Sequence, residues 1–125
     1  MTLKDKTLLI TDLCARLPYG VYVEHSTGVI GTINDIIVNP IYNEDDTIKD
    51  YLCYTNFFGD ETCEIEYFKP YLFPFSSATK EQRKYLRNNT LGVSGLIDWM
   101  NKNHFDHRDL ISKGLALDAT GKNIY

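Results

Sequence analysis

The chain has 125 residues, of which 43% are hydrophobic and 24% charged, and it contains no low-complexity tract. That is enough chain and apolar surface for a core without disulfides or metal, and it argues against a disordered polypeptide. A net charge of −4 speaks against a dedicated nucleic-acid binder, whose affinity rests on neutralising phosphates. The three cysteines are odd in number and lack metal-ligand spacing, so reduced thiols in a cytoplasm are expected, and no zinc ribbon or knuckle.

Met1-Thr2-Leu3-Lys4-Asp5-Lys6 leads into an amphipathic segment rather than an apolar leader, so no secretory signal is expected. No apolar run approaches the ~20 residues that span a bilayer, and no membrane partner is expected. Leu8, Leu9, Ile10, Leu13, Cys14 and Leu17 recur at helical spacing, with Asp5, Lys6, Asp12 and Arg16 largely on the other side. A helix over residues 6–17 follows, ended by Pro18.

Pro18-Tyr19-Gly20 is turn chemistry, and Val21-Tyr22-Val23-Glu24 reads as a short strand. Ser26-Thr27-Gly28 predicts a hairpin turn into a β-branched run over residues 29–38, with Gly31 or Asn34-Asp35 marking a bulge or bend. Residues 39–50 read as a polar, acidic, mobile loop; Glu44-Asp45-Asp46 lacks the spacing of an EF-hand. Tyr51-Leu52-Cys53-Tyr54-Thr55 predicts a third strand and Phe57-Phe58-Gly59-Asp60 a turn. Residues 62–67 predict a fourth strand with Cys63, Ile65 and Tyr67 inward and Glu64 and Glu66 in water. A proline-bounded edge segment is expected near Tyr71-Leu72-Phe73.

Thr79-x-x-Gln82 fits a capping box, which starts a helix near Lys80 that runs to about Arg87. Ser94 caps a third helix in this reading, with Leu96, Ile97, Trp99 and Met100 as its buried stripe. Asp106 caps a final short helix over residues 107–112 that stops at Gly114. Leu115-Ala116-Leu117 packs back on the body, and residues 118–125 form a loose tail.

The fold expected is α+β over one domain of residues 1–125: a helix at 6–17, a β-region at 20–75, a helical region at 79–117 and a tail at 118–125. The β-region forms a small antiparallel sheet or SH3-like barrel of four or five strands, or else a flat open meander covered by helices. Two or three short helices follow.

Several segments resemble an uncharacterised family of small proteins from Bacteroidetes genomes and their phages or mobile elements. They are Thr11-Asp12-Leu13-Cys14-Ala15-Arg16-Leu17-Pro18-Tyr19-Gly20-Val21, Lys69-Pro70-Tyr71-Leu72 with Pro74 and Ser76-Ser77, and the stretch from Asp98-Trp99-Met100-Asn101 through His104-Phe105-Asp106-His107-Arg108 to Leu115-Ala116-Leu117. The resemblance covers roughly a third of the chain and implies a bacterial or phage cytoplasmic protein. It implies no activity, cofactor or catalytic residue.

Charge and aromatics are unevenly spread. Residues 35–66 hold nine acids against one base, Lys49, whereas residues 79–113 hold seven bases against four acids. Such polarity steers a partner or favours head-to-tail association; a solvated face on each half is the plainer explanation. Nine aromatics fall within residues 51–75. Phe57, Phe58, Tyr71, Phe73 and Phe75 are more than a small sheet buries, so they are the candidate protein-binding or oligomer surface, with a role in the core as the alternative.

Lys80, Arg83, Lys84 and Arg87 form a basic helical stripe beside Tyr85, a candidate nucleic-acid surface or a solvated face. His104, Asp106, His107 and Asp109 have the residue types for metal binding or acid–base work, but helix capping explains them more simply. Cys14, Cys53 and Cys63 with His25, His104 or His107 offer a Cys–His pair in principle, though the cysteines sit in apolar positions. No phosphate-cradling glycine loop, G-x-S-x-G or H-E-x-x-H occurs. The function expected is a non-enzymatic interaction protein that binds another protein or itself, with nucleic-acid binding by the basic helix as the alternative. No cofactor and no metal are expected.

Overall fold

In the computed structural model residues 1–58 and 61–125 are described, with the backbone alone for 58, 61 and 62. Helix α1 (Leu3–Arg16) starts at Thr2, whose side chain accepts the Asp5 N–H at 3.1 Å. It buries Leu9, Ile10 and Leu13 and runs into a tight turn at Leu17–Tyr19, closed by Gly20 at φ +73°. A left-handed residue there is cheap only for glycine.

Strands β1 (Tyr22–His25) and β2 (Ile30–Thr32) form the expected hairpin, with Gly28 at φ +92° in its turn. The β-branched run then breaks at Asn34-Asp35. Its second half becomes β3 (Ile37–Tyr42), which belongs to another sheet with β4 (Ile48–Phe58) and β5 (Glu61–Glu64). The segment expected to be a mobile loop is thus largely strand, with a turn only at residues 43–47. Asp45 ties that turn by accepting from the Thr47 N–H and hydroxyl.

After a single turn at Ile65–Tyr67, β6 (Phe68–Leu72) pairs with β1 on one side and, in parallel, with β7 (Leu117–Asp118) on the other. The four-stranded sheet has the order β2-β1-β6-β7 and the three-stranded sheet the order β3-β4-β5. The chain is α+β as expected, with two open sheets among the described residues rather than a closed barrel. The proline-bounded segment is interior to its sheet, because β7 returns from the far end of the chain to cover it. Tyr67, expected inward, is 51% exposed, since the chain turns at residues 65–67 and breaks the alternation.

Helix α2 (Lys80–Asn88) carries the full capping box between Thr79 and Gln82. Helix α3 (Val93–Lys102) is capped at Gly92 rather than Ser94, and its apolar residues Leu96 and Ile97 are exposed rather than buried. Residues 107–112 are successive turns, not a helix. The final segment is tied down: the Tyr125 hydroxyl accepts the Tyr22 N–H and donates to the Tyr71 carbonyl. The main core gathers Leu9, Leu13, Val21, Val23, Ile33, Cys53, Ile65, Phe68, Leu72 and Leu110 from α1, both sheets, the segments joining them and the C-terminal turns. Each such side chain contributes ~1.5–3 kcal/mol on burial.

Candidate functional site

Two surfaces and one buried cluster hold the side chains with chemistry. The first surface is the outer face of the three-stranded sheet. Along β4, Tyr51, Cys53, Thr55 and Phe57 turn towards the core, so Leu52 and Tyr54 turn away from it. Register sets Ile37 opposite Tyr54, Asn39 opposite Leu52, Ile41 opposite Asp50, and Tyr54 opposite Glu64. Leu52 is therefore diagonal to both Ile37 and Ile41, within reach of each. These three are 46%, 43% and 44% exposed.

Acids rim this apolar stripe. Pairing of β4 with β5 reaches only to Tyr54, so the earlier half of β4 has an open edge there. Lys6 reaches that edge, donating to the Tyr51 carbonyl at 2.6 Å and to Asp50 at 3.2 Å. Beside it lies a hollow of about 250 Å³ lined by Lys6, Ile41, Asp50, Leu52, Glu64 and Glu66. The Glu64 carboxyl is pushed up by its hydrogen bond with Glu66, a sign of carboxylates crowded together.

The second surface is helical. Lys80, Arg83, Lys84, Arg87 and Asn88 line one side of α2. Arg83 also donates to the Ser76 carbonyl at 3.0 Å, and none of the ion pairs among the described residues involves this stripe. A shallow groove of about 320 Å³, lined by Phe75, Leu86, Asn89, Leu91, Leu96 and Met100, runs beside it. Tyr85 is exposed at its edge and stacks on Trp99 at 5.8 Å between ring centroids.

The aromatic set proposed from sequence is dispersed. Tyr71 is 5% exposed inside the four-stranded sheet, with its hydroxyl bonded to Glu24, so the edge position expected for it is corrected. Phe57 lies within β4, half-buried, with its ring 4.9 Å from that of Phe68, not at a turn tip. The Phe58 side chain, with Gly59 and Asp60, lies outside the described residues. Phe73 is half-buried against Phe105 and Tyr125, and of the four whose side chains are described only Phe75 is open, at 46%.

The His/Asp cluster divides: His104, Asp106 and His107 are half-buried beside the polar interior, and Asp109 is exposed. The Asp106 carboxylate accepts the Leu110 and Ile111 N–H groups at 2.8 and 2.9 Å, which is capping of turns rather than of a helix. Asp109 faces Lys113. His107 Nε2 lies 2.8 Å from Asn101 Oδ1, and burial, then Arg108, holds its pKa down. His104 stacks on Tyr125, and burial followed by the Arg16 charge lowers its pKa to about 4. Among the described residues no three side chains of metal-ligating type converge.

Sequence reasoning missed the centre of this interior. The helical period puts Asp12 and Arg16 largely on the side of the helix away from its apolar residues, yet neither has any exposed surface. Their spacing of four residues was the only signal, and it also describes a solvated helix face. The cysteines divide too: Cys53 is buried with its thiol pushed up to about 11, and Cys14 is exposed, not core, though partial desolvation also raises it. Raised thiols are the opposite of an activated nucleophile.

No helix among the described residues is long and apolar enough to cross a membrane. No protein-family model, curated protein or solved structure matches the chain.

Proposed function

We propose that the chain is a non-enzymatic protein-interaction module whose contact surface is the outer face of the three-stranded sheet. The observation that carries this is the row of Ile37, Ile41 and Leu52, three branched aliphatic side chains left in solvent on one face. Scattered exposed apolar residues need no explanation, but a contiguous apolar stripe with a charged rim has the anatomy of an interface. Unpaired cysteines fit a reducing compartment such as the cytoplasm.

The test passes an extract of cells that make the protein over immobilised wild type and over the Leu52→Asp variant. Both are first shown to be folded by circular dichroism and thermal melting. The wild type is expected to retain a partner that the variant loses; equal retention by both sinks the reading.

A second reading rests on the basic stripe of α2, which makes no ion pair among the described residues. Lys80, Arg83, Lys84 and Arg87 with the exposed Tyr85 ring supply charge and a stacking platform for a nucleic-acid strand. It predicts binding that weakens steeply with salt. Absence of binding to DNA or RNA at low salt ends it.

A further inference from the structure

The two exposed surfaces differ in the sign of their charge and share an apolar centre. The sheet face presents Ile37, Ile41 and Leu52 within a rim of Asp50, Glu64 and Glu66, of which Asp50 is paired with Lys6, and the turn acids Glu44, Asp45 and Asp46 extend it. The helical face presents Val93, Leu96 and Ile97 and the groove beside them, with Lys80, Lys84 and Arg87 along α2. Among the described residues no ion pair within one chain joins the two sets.

From this complementarity we infer that the occupant of the sheet face is the helical face of a second copy of the same chain. This rests on the reading of the sheet as a contact surface and names its partner. The association is heterologous: each copy offers a different patch at each end, so repeated contacts form a ring or a filament rather than a two-fold dimer. The apolar stripe seats against α3 and the α2–α3 groove, while opposite rims set orientation and speed encounter. Rim pairs of this kind lose strength as salt shortens the screening length from ~10 Å at 0.1 M to ~3 Å at 1 M.

The experiment is sedimentation of the full chain over a concentration series in low and high salt. Two charge-reversed variants accompany it. One carries Lys80→Glu, Lys84→Glu and Arg87→Glu; the other carries Glu44→Lys, Glu64→Lys and Glu66→Lys, all at exposed positions. Arg83 and Asp50 are left intact because each bonds within its own chain. Wild type is expected to grow in mass with concentration at low salt and to return to one chain at high salt. Each variant alone is expected to stay a single chain, and mixing the two restores assembly, because reversed helix then meets reversed sheet.

A wild type that stays monomeric at low salt overturns the inference. So does assembly unchanged in both variants, or assembly that mixing fails to restore. Tight binding of a mixed-sequence oligonucleotide by monomeric wild type, lost on reversing α2, also overturns it and assigns the basic stripe to nucleic acid. A thermal melt of each variant checks folding, and Lys84→Glu alone replaces the triple variant if that unfolds. The sheet reading is tested separately: Leu52→Asp, with its charges otherwise native, should stay a single chain in the same series. If wild type itself is monomeric, loss of a partner from the cell extract on Leu52→Asp keeps the sheet as a contact surface for another protein, while equal retention ends it.

Discussion

Asp12 and Arg16 lie one helical turn apart on α1 and form an ion pair with no solvent exposure on either side chain, Nε to Oδ2 at 2.8 Å and Nη2 to Oδ1 at 3.0 Å. Arg108 adds a second cation to the same carboxylate at 2.8 Å, and Arg16 donates onward to the Phe105 carbonyl at 2.6 Å. One buried acid thus holds two guanidinium groups and joins α1 to the turns after α3. Removing it strands a buried cation. Asp12→Ala is expected to cost ~3–5 kcal/mol in urea unfolding, whereas Arg108→Ala, at the partly exposed end, costs less. Equal and small losses for both would show that the pair is not what ties the elements together.

Tyr125 anchors the end of the chain by stacking on His104 and by bonding Tyr22 and Tyr71 through its hydroxyl. Tyr125→Phe is expected to lose ~1–2 kcal/mol, because the Tyr22 N–H and the Tyr71 carbonyl are left without that partner. Tyr125→Ala also loses the ring and costs more. Amide exchange at Tyr22 is the local readout, and it should quicken in both variants; unchanged exchange would contradict the anchor.

Acid should loosen the same region. His104 has a pKa of about 4 in the folded chain, lowered by burial and then by Arg16, against ~6.5 for an unperturbed histidine. Between those values the unfolded chain binds more protons, so stability is fully present above the upper value and falls as pH drops through the window. The low pKa of His107 acts with the same sign. His104 sits at φ +62°, which asparagine tolerates, so His104→Asn removes the titration without new backbone strain. Thermal midpoints measured from neutral pH to acid should decline more steeply for wild type than for this variant.

Gly31 passes close to the Phe57 ring, and a β-carbon there would lie 3.0 Å from Cε2 and 3.2 Å from Cζ. The ring has little room to retreat, since Phe68 meets it edge-on at 4.9 Å. Gly31→Ala is expected to cost ~1–3 kcal/mol by overpacking. Combined with Phe57→Leu, the two costs should sum to more than the double variant loses, which a double-mutant cycle measures. Additive costs would place the strain elsewhere.

What the sequence determined by itself was written in neighbours along the chain. The capping box at Thr79 and Gln82, the hairpin turn at Gly28 and the break at Asn34-Asp35, one of the two places the sequence offers for it, each depend on a few adjacent residues and appear there. Gly114, by contrast, is left-handed but ends turns rather than the helix expected before it. The amphipathic period likewise placed Leu9, Ile10 and Leu13 against the core.

Only the tertiary structure decided the rest, because those outcomes turn on partners far away in sequence. Tyr71 left the sheet edge because residues 117–118 return beside it. Leu52 became an exposed residue because the segment before it paired as a strand instead of looping, so that the two faces of β4 acquired different environments. Asp12 and Arg16 read only as part of the helix side away from its apolar residues, and Phe105 and Arg108 are what close over them. Burial is a property of the assembled surfaces, and a charge pattern of period four is the same whether water or another helix lies against it.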